Sequence, residues 1–171
     1  MPTSPLTTVA VPVASQLYHD FPGFHYADAY ALVLPPAMPS RAPAVAQRLF
    51  GQAPGWVRRL LRLRDWLVRP FGLVTFPPAP PRPDARIAPG EQLGPFRIFR
   101  VSSPEVLLGL DDRHLDFRVS VWVTEPTVAP PRVVVSTAVR FHNPFGRLYF
   151  TLIRPVHGLV VKALLRQALR A

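Results

Sequence analysis

Two segments in the second half of the chain carry the polar side chains best suited to a chemical site. Alternation along residues 114–124 sets His114, Asp116 and Arg118 on one side. Alternation along residues 132–143 sets Arg140 and His142 on one side. Arginines in such positions recognise anionic groups through bidentate hydrogen bonds. A shared site requires the two segments to be neighbouring strands.

The lengths of the predicted turns determine which of these side chains meet. A two-residue turn in the Asp-Asp dipeptide places Glu105 opposite Arg118, and a turn centred in the following loop brings Asp116 near Arg140. The register predicts one polar face that holds the candidate ligand-binding residues Glu105, His114, Asp116, Arg118, Arg140, His142 and Tyr149.

This polar face has three interpretations. The favoured one is a solvated face of weak cross-strand ion pairs, because the opposite face is the one apolar enough to form the core. The second is a site for an anionic group. The third is a metal site, since His114, His142 and Asp116 form the ligand set of non-haem iron sites. A lone His-x-Asp is a weak signal, so we expect no metal and no cofactor.

The opposite side of the same strands is aliphatic and aromatic, and a helix must cover it. The sequence predicts a strand over residues 24–34 and helices over 42–50 and 54–68. Five further strands follow at residues 96–101, 105–110, 114–124, 132–143 and 147–153, and a final helix starts at Pro155. We expect the apolar pocket lining to comprise Phe117, Val119, Val121, Val135, Val139, Phe141, Phe150, Leu159 and Val160.

This order of elements predicts an α+β helix-grip fold. A curved antiparallel sheet of about six strands wraps around a long C-terminal helix, and two short helices follow the first strand. Residues 1–171 are predicted to form one domain, with an extended segment at 1–17 and a proline-rich connection at 75–95.

Composition excludes several classes of protein. The chain has no cysteine, which rules out disulfides and thiolate chemistry. It also lacks a glycine-rich phosphate loop and a G-x-S-x-G motif. Residues 1–17 contain no Lys or Arg, and no 18-residue uninterrupted apolar segment occurs. We therefore expect a cytoplasmic protein without a signal sequence or membrane span.

Positive charge is the main bias in composition, with a formal net charge of +10. The predicted helix from Trp56 to Arg69 sets Trp56, Leu60 and Leu63 on an apolar stripe with arginines opposite. Packing onto the core is the commoner role of such a helix, and contact with an anionic membrane surface is the alternative. No motif for specific nucleic-acid binding is present, and the sequence does not determine an oligomeric state.

Several strings resemble the bacterial domain-of-unknown-function family numbered 2867. They are EVLLG at 105–109, DDRHLDFRVS at 111–120, YADAY at 26–30, HN at 142–143, GR at 146–147, YF at 149–150, and Pro155 with His157. The resemblance covers nearly the whole chain after residue 18. It implies a fold akin to START-type helix-grip proteins, which enclose small apolar molecules, and it supplies no catalytic residue.

Three functions follow as hypotheses. The first is a protein that binds a lipid-like or polyketide-like small molecule in an apolar pocket. The second is a cyclase- or isomerase-type enzyme that uses polar residues of the central strands. The third is an arginine-rich protein that contacts membrane or nucleic acid.

Overall fold

The computed structural model describes residues 6–36, 38–51, 54–73, 75, 86–124 and 130–168. Its strands and helices follow one another along the chain as β1 (Thr7–Thr8), α1 (Leu17–Asp20), β2 (Tyr26–Val33), α2 (Ala42–Gly51), α3 (Gly55–Val68), β3 (Gln92–Leu93), β4 (Phe96–Val101), β5 (Glu105–Asp111), β6 (Leu115–Val123), β7 (Arg132–Phe141) and α4 (Pro144–Ala168). A short 3₁₀ turn at Arg69–Phe71 ends α3. Most of the proline-rich connection lies outside the described residues.

The strands form one antiparallel sheet in the order β1-β2-β7-β6-β5-β4-β3. Strands β4 to β7 follow one another as a meander, and β2 crosses to pair with β7. Helices α2 and α4 cover one face of this sheet, here called the inner face. The predicted helix-grip fold is therefore confirmed, with seven strands in place of about six.

The register is predicted correctly between β6 and β7 and wrongly between β5 and β6. Asp116 does pair with Arg140. Glu105, however, lies opposite Trp122 and not Arg118, because the β5–β6 turn is longer than two residues. The shift is four residues, an even number, so each side chain of β5 keeps its predicted face.

The predicted last strand and the predicted start of the final helix are both wrong, because residues 147–153 belong to α4. Asn143 caps this helix by accepting a hydrogen bond from the Gly146 amide at 2.9 Å, and Pro144 occupies the first helical position. Pro155 lies inside the helix. The string N-P-F-G is thus a helix start that resembles a strand-connecting turn.

The second face of the sheet, here called the outer face, is also covered. The segment between Val11 and Phe24 packs on it through Leu17 and Phe21, which are fully buried against Leu107, Val134 and Ala138. The favoured expectation of a solvated polar face is therefore wrong. An N-terminal segment rich in small and apolar residues supplies a second layer that the strand pattern alone does not indicate.

Helix α4 is long and apolar enough to cross a membrane by length and composition, with a mean hydropathy of 1.4 over its most apolar 18 residues. The expectation of no membrane span was based on the absence of 18 uninterrupted apolar residues, and Arg147, Arg154 and Lys162 do interrupt the apolar sequence of α4. One such helix does not by itself show a membrane span, because the mostly buried core helices of soluble proteins pass the same test. Only 17% of this window is buried inside the protein, and the buried side chains of α4 include Phe150, Val161 and Leu165.

Candidate functional site

A cavity of about 640 Å³ lies between the inner face of the sheet and the helices α2, α3 and α4. Its walls are almost entirely aliphatic and aromatic. From the sheet they include Leu115, Phe117, Val119, Val135 and Val139, and from the helices Leu49, Leu60, Leu67, Phe150, Ile153, Val160 and Leu164. The volume falls within the range of about 300–1,000 Å³ that is typical of small-molecule sites.

The structure brings most of the apolar candidates to this cavity. Those that line it are Phe117, Val119, Val135, Val139, Phe150 and Val160. Val121 is instead fully buried in the main core, Phe141 stacks on His25, and Leu159 points to solvent.

Four polar side chains lie together at one place in the cavity wall. Arg64 of α3 donates a hydrogen bond through Nε to the hydroxyl oxygen of Tyr149 of α4, 2.8 Å away. The Tyr149 ring meets the ring of His114 edge-on, with centroids 4.9 Å apart. Oδ2 of Asp112 lies 3.3 Å from Nδ1 of His114. These four side chains, here called the polar cluster, come from two helices and the β5–β6 turn.

His114 reaches the cavity because it precedes the first paired residue of β6. Its backbone carbonyl accepts a hydrogen bond from the His142 amide, while its ring turns toward α4. Both ring nitrogens are shielded from solvent and make no well-oriented hydrogen bond within the described residues, although Nδ1 lies 3.3 Å from Oδ2 of Asp112. Burial lowers the pKa of His114, and the Asp112 carboxylate opposes that effect. The ring is therefore neutral at pH 7.

A second polar group lies farther along the cavity. His157 of α4 lines the wall, and its Nε2 is 3.5 Å from Oδ2 of Asp28 on β2. The same Asp28 oxygen accepts a hydrogen bond from Tyr26 at 3.0 Å. Burial of the Tyr26 hydroxyl and the nearby Asp28 carboxylate raise the pKa of Tyr26 to about 12. Thr137 adds a buried hydroxyl that has no hydrogen-bond partner among the described residues.

Glu105 is placed on the outer face, away from the cavity. Its carboxylate accepts hydrogen bonds from the hydroxyls of Ser15 and Ser120 and from the backbone amide of Gln16. Two of these donors, Ser15 and Gln16, attach the N-terminal segment to the sheet, and Ser120 lies on the neighbouring strand β6. The arrangement explains a fully buried carboxylate without a ligand.

Arg118 and Arg140 also lie on the outer face. Each guanidinium lies over the buried ring of Phe21, at 4.9 and 4.6 Å from its centroid, and Arg118 lies 3.6 Å from the centroid of Phe99. Such contacts are cation–π interactions. Arg118 further donates to Oδ1 of Asp111 at 2.7 Å. These arginines hold Phe21 in place.

Asp116 and His142 are in contact beside these arginines. Nε2 of His142 lies 2.9 Å from Oδ1 of Asp116, and Arg140 donates to Oδ2 at 3.2 Å. Although burial opposes ionisation, the hydrogen bonds from His142 and Arg140 lower the pKa of Asp116. The ring of His114 lies on the other side of the sheet, so the metal-ligand set is not brought together. Across the described residues, no three His, Asp or Glu side chains are grouped to hold a metal ion.

The sequence-based prediction does not include most of the polar residues that line the cavity. Tyr149 and His114 were among the candidates, but Arg64, Asp112 and Thr137 were not. Arg64 lies on the predicted amphipathic helix at a position where a charge interrupts an otherwise leucine-rich arc, and that interruption is the one local signal for it.

Comparison with known proteins gives one finding at the level of a family. No curated protein and no solved structure matches the chain. A model of the family described as "Protein of unknown function (DUF2867)" matches residues 21–164, which include β2, α2, α3, most of α4 and every strand that borders the cavity. The chain therefore belongs to the DUF2867 family.

Proposed function

We propose that the protein binds an apolar small molecule that carries one oxygen-containing polar group. The observation that carries the proposal is the cavity of about 640 Å³, whose walls are apolar except for two small polar groups. Sites for small molecules combine these two features, since apolar area supplies affinity and a few polar groups fix the orientation.

The polar cluster suits an oxygen atom on the ligand. Tyr149 accepts a hydrogen bond from Nε of Arg64, which leaves its own hydroxyl proton free to be donated. A carbonyl, hydroxyl or carboxylate oxygen of the ligand is a matching acceptor. Apart from His157 and Thr137, the rest of the lining consists of apolar side chains, mostly leucine, valine and phenylalanine, which favours a hydrocarbon body over a sugar or nucleotide.

The test is displacement of 1-N-phenylnaphthylamine, a fluorescent apolar probe, together with native mass spectrometry of freshly purified protein. We expect saturable probe binding and displacement by medium-chain fatty acids or fused-ring ketones. A protein that neither retains a copurified molecule nor binds the probe at micromolar concentrations contradicts the proposal.

Two neighbouring residues of α4 offer a matched pair of variants. Val160 lines the cavity, whereas Leu159 is exposed and does not. Val160→Trp adds bulk inside the cavity and should weaken probe binding at least tenfold. Leu159→Trp adds an indole to the same helix outside the cavity and should leave the affinity unchanged. Equal affinities of the two variants would argue against binding at this site.

A second candidate function is proton-transfer catalysis, and the observation that favours it is a neutral histidine beside a carboxylate in the cavity wall. In the tautomer that carries its proton on Nδ1, which lies 3.3 Å from Oδ2 of Asp112, Nε2 carries the lone pair. Nε2 removes a proton from the carbon next to a ligand carbonyl. The C–H electron pair becomes a carbon–carbon double bond, and the carbonyl oxygen becomes an enolate that Tyr149 stabilises by donating a hydrogen bond. In a ligand whose enolate is conjugated with a second carbon–carbon double bond, return of the proton to the far end of that double bond completes an isomerisation.

This candidate is tested by deuterium incorporation into 2-tetralone in D₂O. Catalysed exchange that is lost in His114→Gln and reduced in Tyr149→Phe supports it. His19→Gln alters an exposed imidazole that does not line the cavity and should have no effect. Exchange at the uncatalysed rate with bound 2-tetralone would leave binding as the function and exclude this one.

A further inference from the structure

Exposed apolar side chains are concentrated on two helices. Of the eleven large hydrophobic residues that are exposed in the described part of the chain, only Val13 and Tyr18 lie elsewhere. The others are Trp56, Leu63, Trp66 and Leu67 on α3 and Phe145, Leu148, Leu152, Val156 and Leu159 on α4. Contiguous apolar surface of this kind marks a partner or a membrane.

The same surface is the mouth of the cavity. Leu63 and Leu67 of α3 line the cavity and are 52% and 54% exposed, and Leu148 and Leu152 of α4 line it and are 60% and 70% exposed. A side chain that both lines the cavity and remains exposed lies at its opening. The cavity therefore opens between α3 and α4.

Cationic side chains border this opening on α3. Successive residues of an α-helix are turned by about 100°, which places Leu63 and Leu67 on one arc and Arg59, Trp66 and Arg62 on the arc beside it. Arg58, Arg59 and Arg62 are exposed, and none makes an ion pair with another described residue. The one acidic residue of α3, Asp65, is paired with Arg64 at 2.8 Å, and α4 contains no acidic residue.

We propose that the protein docks on anionic lipid bilayers through the cavity mouth, with the leucines and Trp66 inserted and the arginines of α3 on the headgroups. Trp66 is 71% exposed, and tryptophan is favoured at the boundary between headgroups and hydrocarbon. One consequence rests on the proposed function: with its cavity mouth inserted in the bilayer, the protein can exchange an apolar ligand with the lipid without exposing that ligand to water. Docking itself does not depend on a ligand.

The charge pattern argues for a bilayer over other occupants. A second copy placed symmetrically on this surface would set the α3 arginines of both chains near one another, and such like-charge contacts are unfavourable. A nucleic acid would match the arginines but would leave the leucines of the mouth uncovered. An anionic bilayer matches both features at once.

The test is sedimentation of the full chain with vesicles of phosphatidylcholine, either alone or with about one third phosphatidylglycerol. We expect binding to the anionic vesicles at low salt, a blue shift of tryptophan emission on binding, and loss of most binding at high salt. Equal binding to neutral vesicles, binding to neither kind, or a self-associated dimer that buries Trp66 would each overturn the proposal.

Two double variants with equal net charge locate the surface. Arg59→Gln with Arg62→Gln removes two charges from the mouth and should weaken binding to anionic vesicles roughly 10–30-fold. Arg41→Gln with Arg132→Gln removes two exposed charges elsewhere and should have little effect. A third variant, Trp66→Ser, should reduce both binding and the blue shift. An equal loss in the two double variants would show an effect of net charge alone and overturn docking at the mouth.

Probe binding without vesicles separates the two proposals. The mouth variants should bind 1-N-phenylnaphthylamine as the wild type does, since Arg59, Arg62 and Trp66 do not line the cavity. Vesicle binding without probe binding would retain the docking surface and refute the proposed function. Probe binding without vesicle binding would support the proposed function and refute the docking surface.

Discussion

The carboxylate of Glu105 accepts a hydrogen bond from the backbone amide of Gln16, whose nitrogen lies 2.7 Å from Oε2. This contact joins the start of β5 to the residue that precedes α1. Together with the hydroxyls of Ser15 and Ser120, it places a buried carboxylate at the junction between the sheet and the N-terminal segment. The outer face is thus held by a polar anchor as well as by apolar packing.

Glu105→Ala should destabilise the protein by about 2–4 kcal/mol, because it leaves buried donors without their charged acceptor. Urea unfolding followed by circular dichroism measures the change. Glu91→Ala removes an exposed carboxylate and should change the free energy of unfolding by less than about 0.5 kcal/mol. Equal stability of the two variants would mean that the Glu105 hydrogen bonds do not hold the segment in solution.

Gly146→Ala should destabilise the protein by about 3 kcal/mol, because a β-carbon there would collide with the backbone carbonyl of His114. Gly55→Ala is the matched control, since Gly55 also lies in a helix and a β-carbon there meets no atom within 4 Å. The control should be stabilised by about half a kcal/mol through higher helix propensity. Thermal unfolding of both variants measures these changes in stability. A Gly146→Ala variant as stable as the wild type would contradict the close approach of α4 to the sheet.

The inner face could be predicted from sequence because its evidence is local. Alternation along β6 and β7 sets Val119 and Val135 on one side, and the register between the two strands follows from the length of a single loop. Alternation also assigned Glu105 to the correct face in spite of the wrong register, since an even shift preserves the face. Burial of a continuous apolar row is what makes such a face predictable.

The rest of the site could not be predicted because its evidence is tertiary. Nothing within β6 shows that Phe21, almost 100 residues earlier, covers Arg118. Tyr149 lies in a segment whose alternating Leu148, Phe150 and Leu152 suit a strand, whereas the structure begins a helix there with a cap from Asn143. Contacts between distant segments decided these positions, and single-sequence periodicity carries no information on them.

Tyr149→Phe should weaken the binding of ligands with an oxygen atom and leave hydrocarbon ligands unaffected. The variant keeps the ring against His114 and removes the hydroxyl that Arg64 orients. We expect a fatty acid or ketone to bind about 10-fold more weakly, in keeping with the loss of one hydrogen bond, and 1-N-phenylnaphthylamine to bind as before. Tyr18→Phe, at an exposed tyrosine, is the control. Equal losses for both ligand classes would place the polar group of the ligand elsewhere.

Stability should fall as the pH is lowered from about 7 toward 5, and His114 should be responsible for much of that fall. Burial keeps the pKa of His114 in the folded protein below its ordinary value of about 6.5. Between the two pKa values the unfolded chain binds a proton that the folded chain refuses, so the free energy of unfolding decreases with falling pH and is constant above that window. The pKa values of Asp116 and Asp20 are also lowered, but these carboxylates change stability at more acidic pH than His114 does.

Urea unfolding at several pH values should show a shallower slope of the free energy of unfolding against pH for His114→Gln than for the wild type. His19→Gln, at an exposed ring, should retain the wild-type slope. A slope unchanged in His114→Gln would mean that its ring is already protonated or solvated in the folded state, and proton transfer by a neutral His114 would then lose its chemical basis.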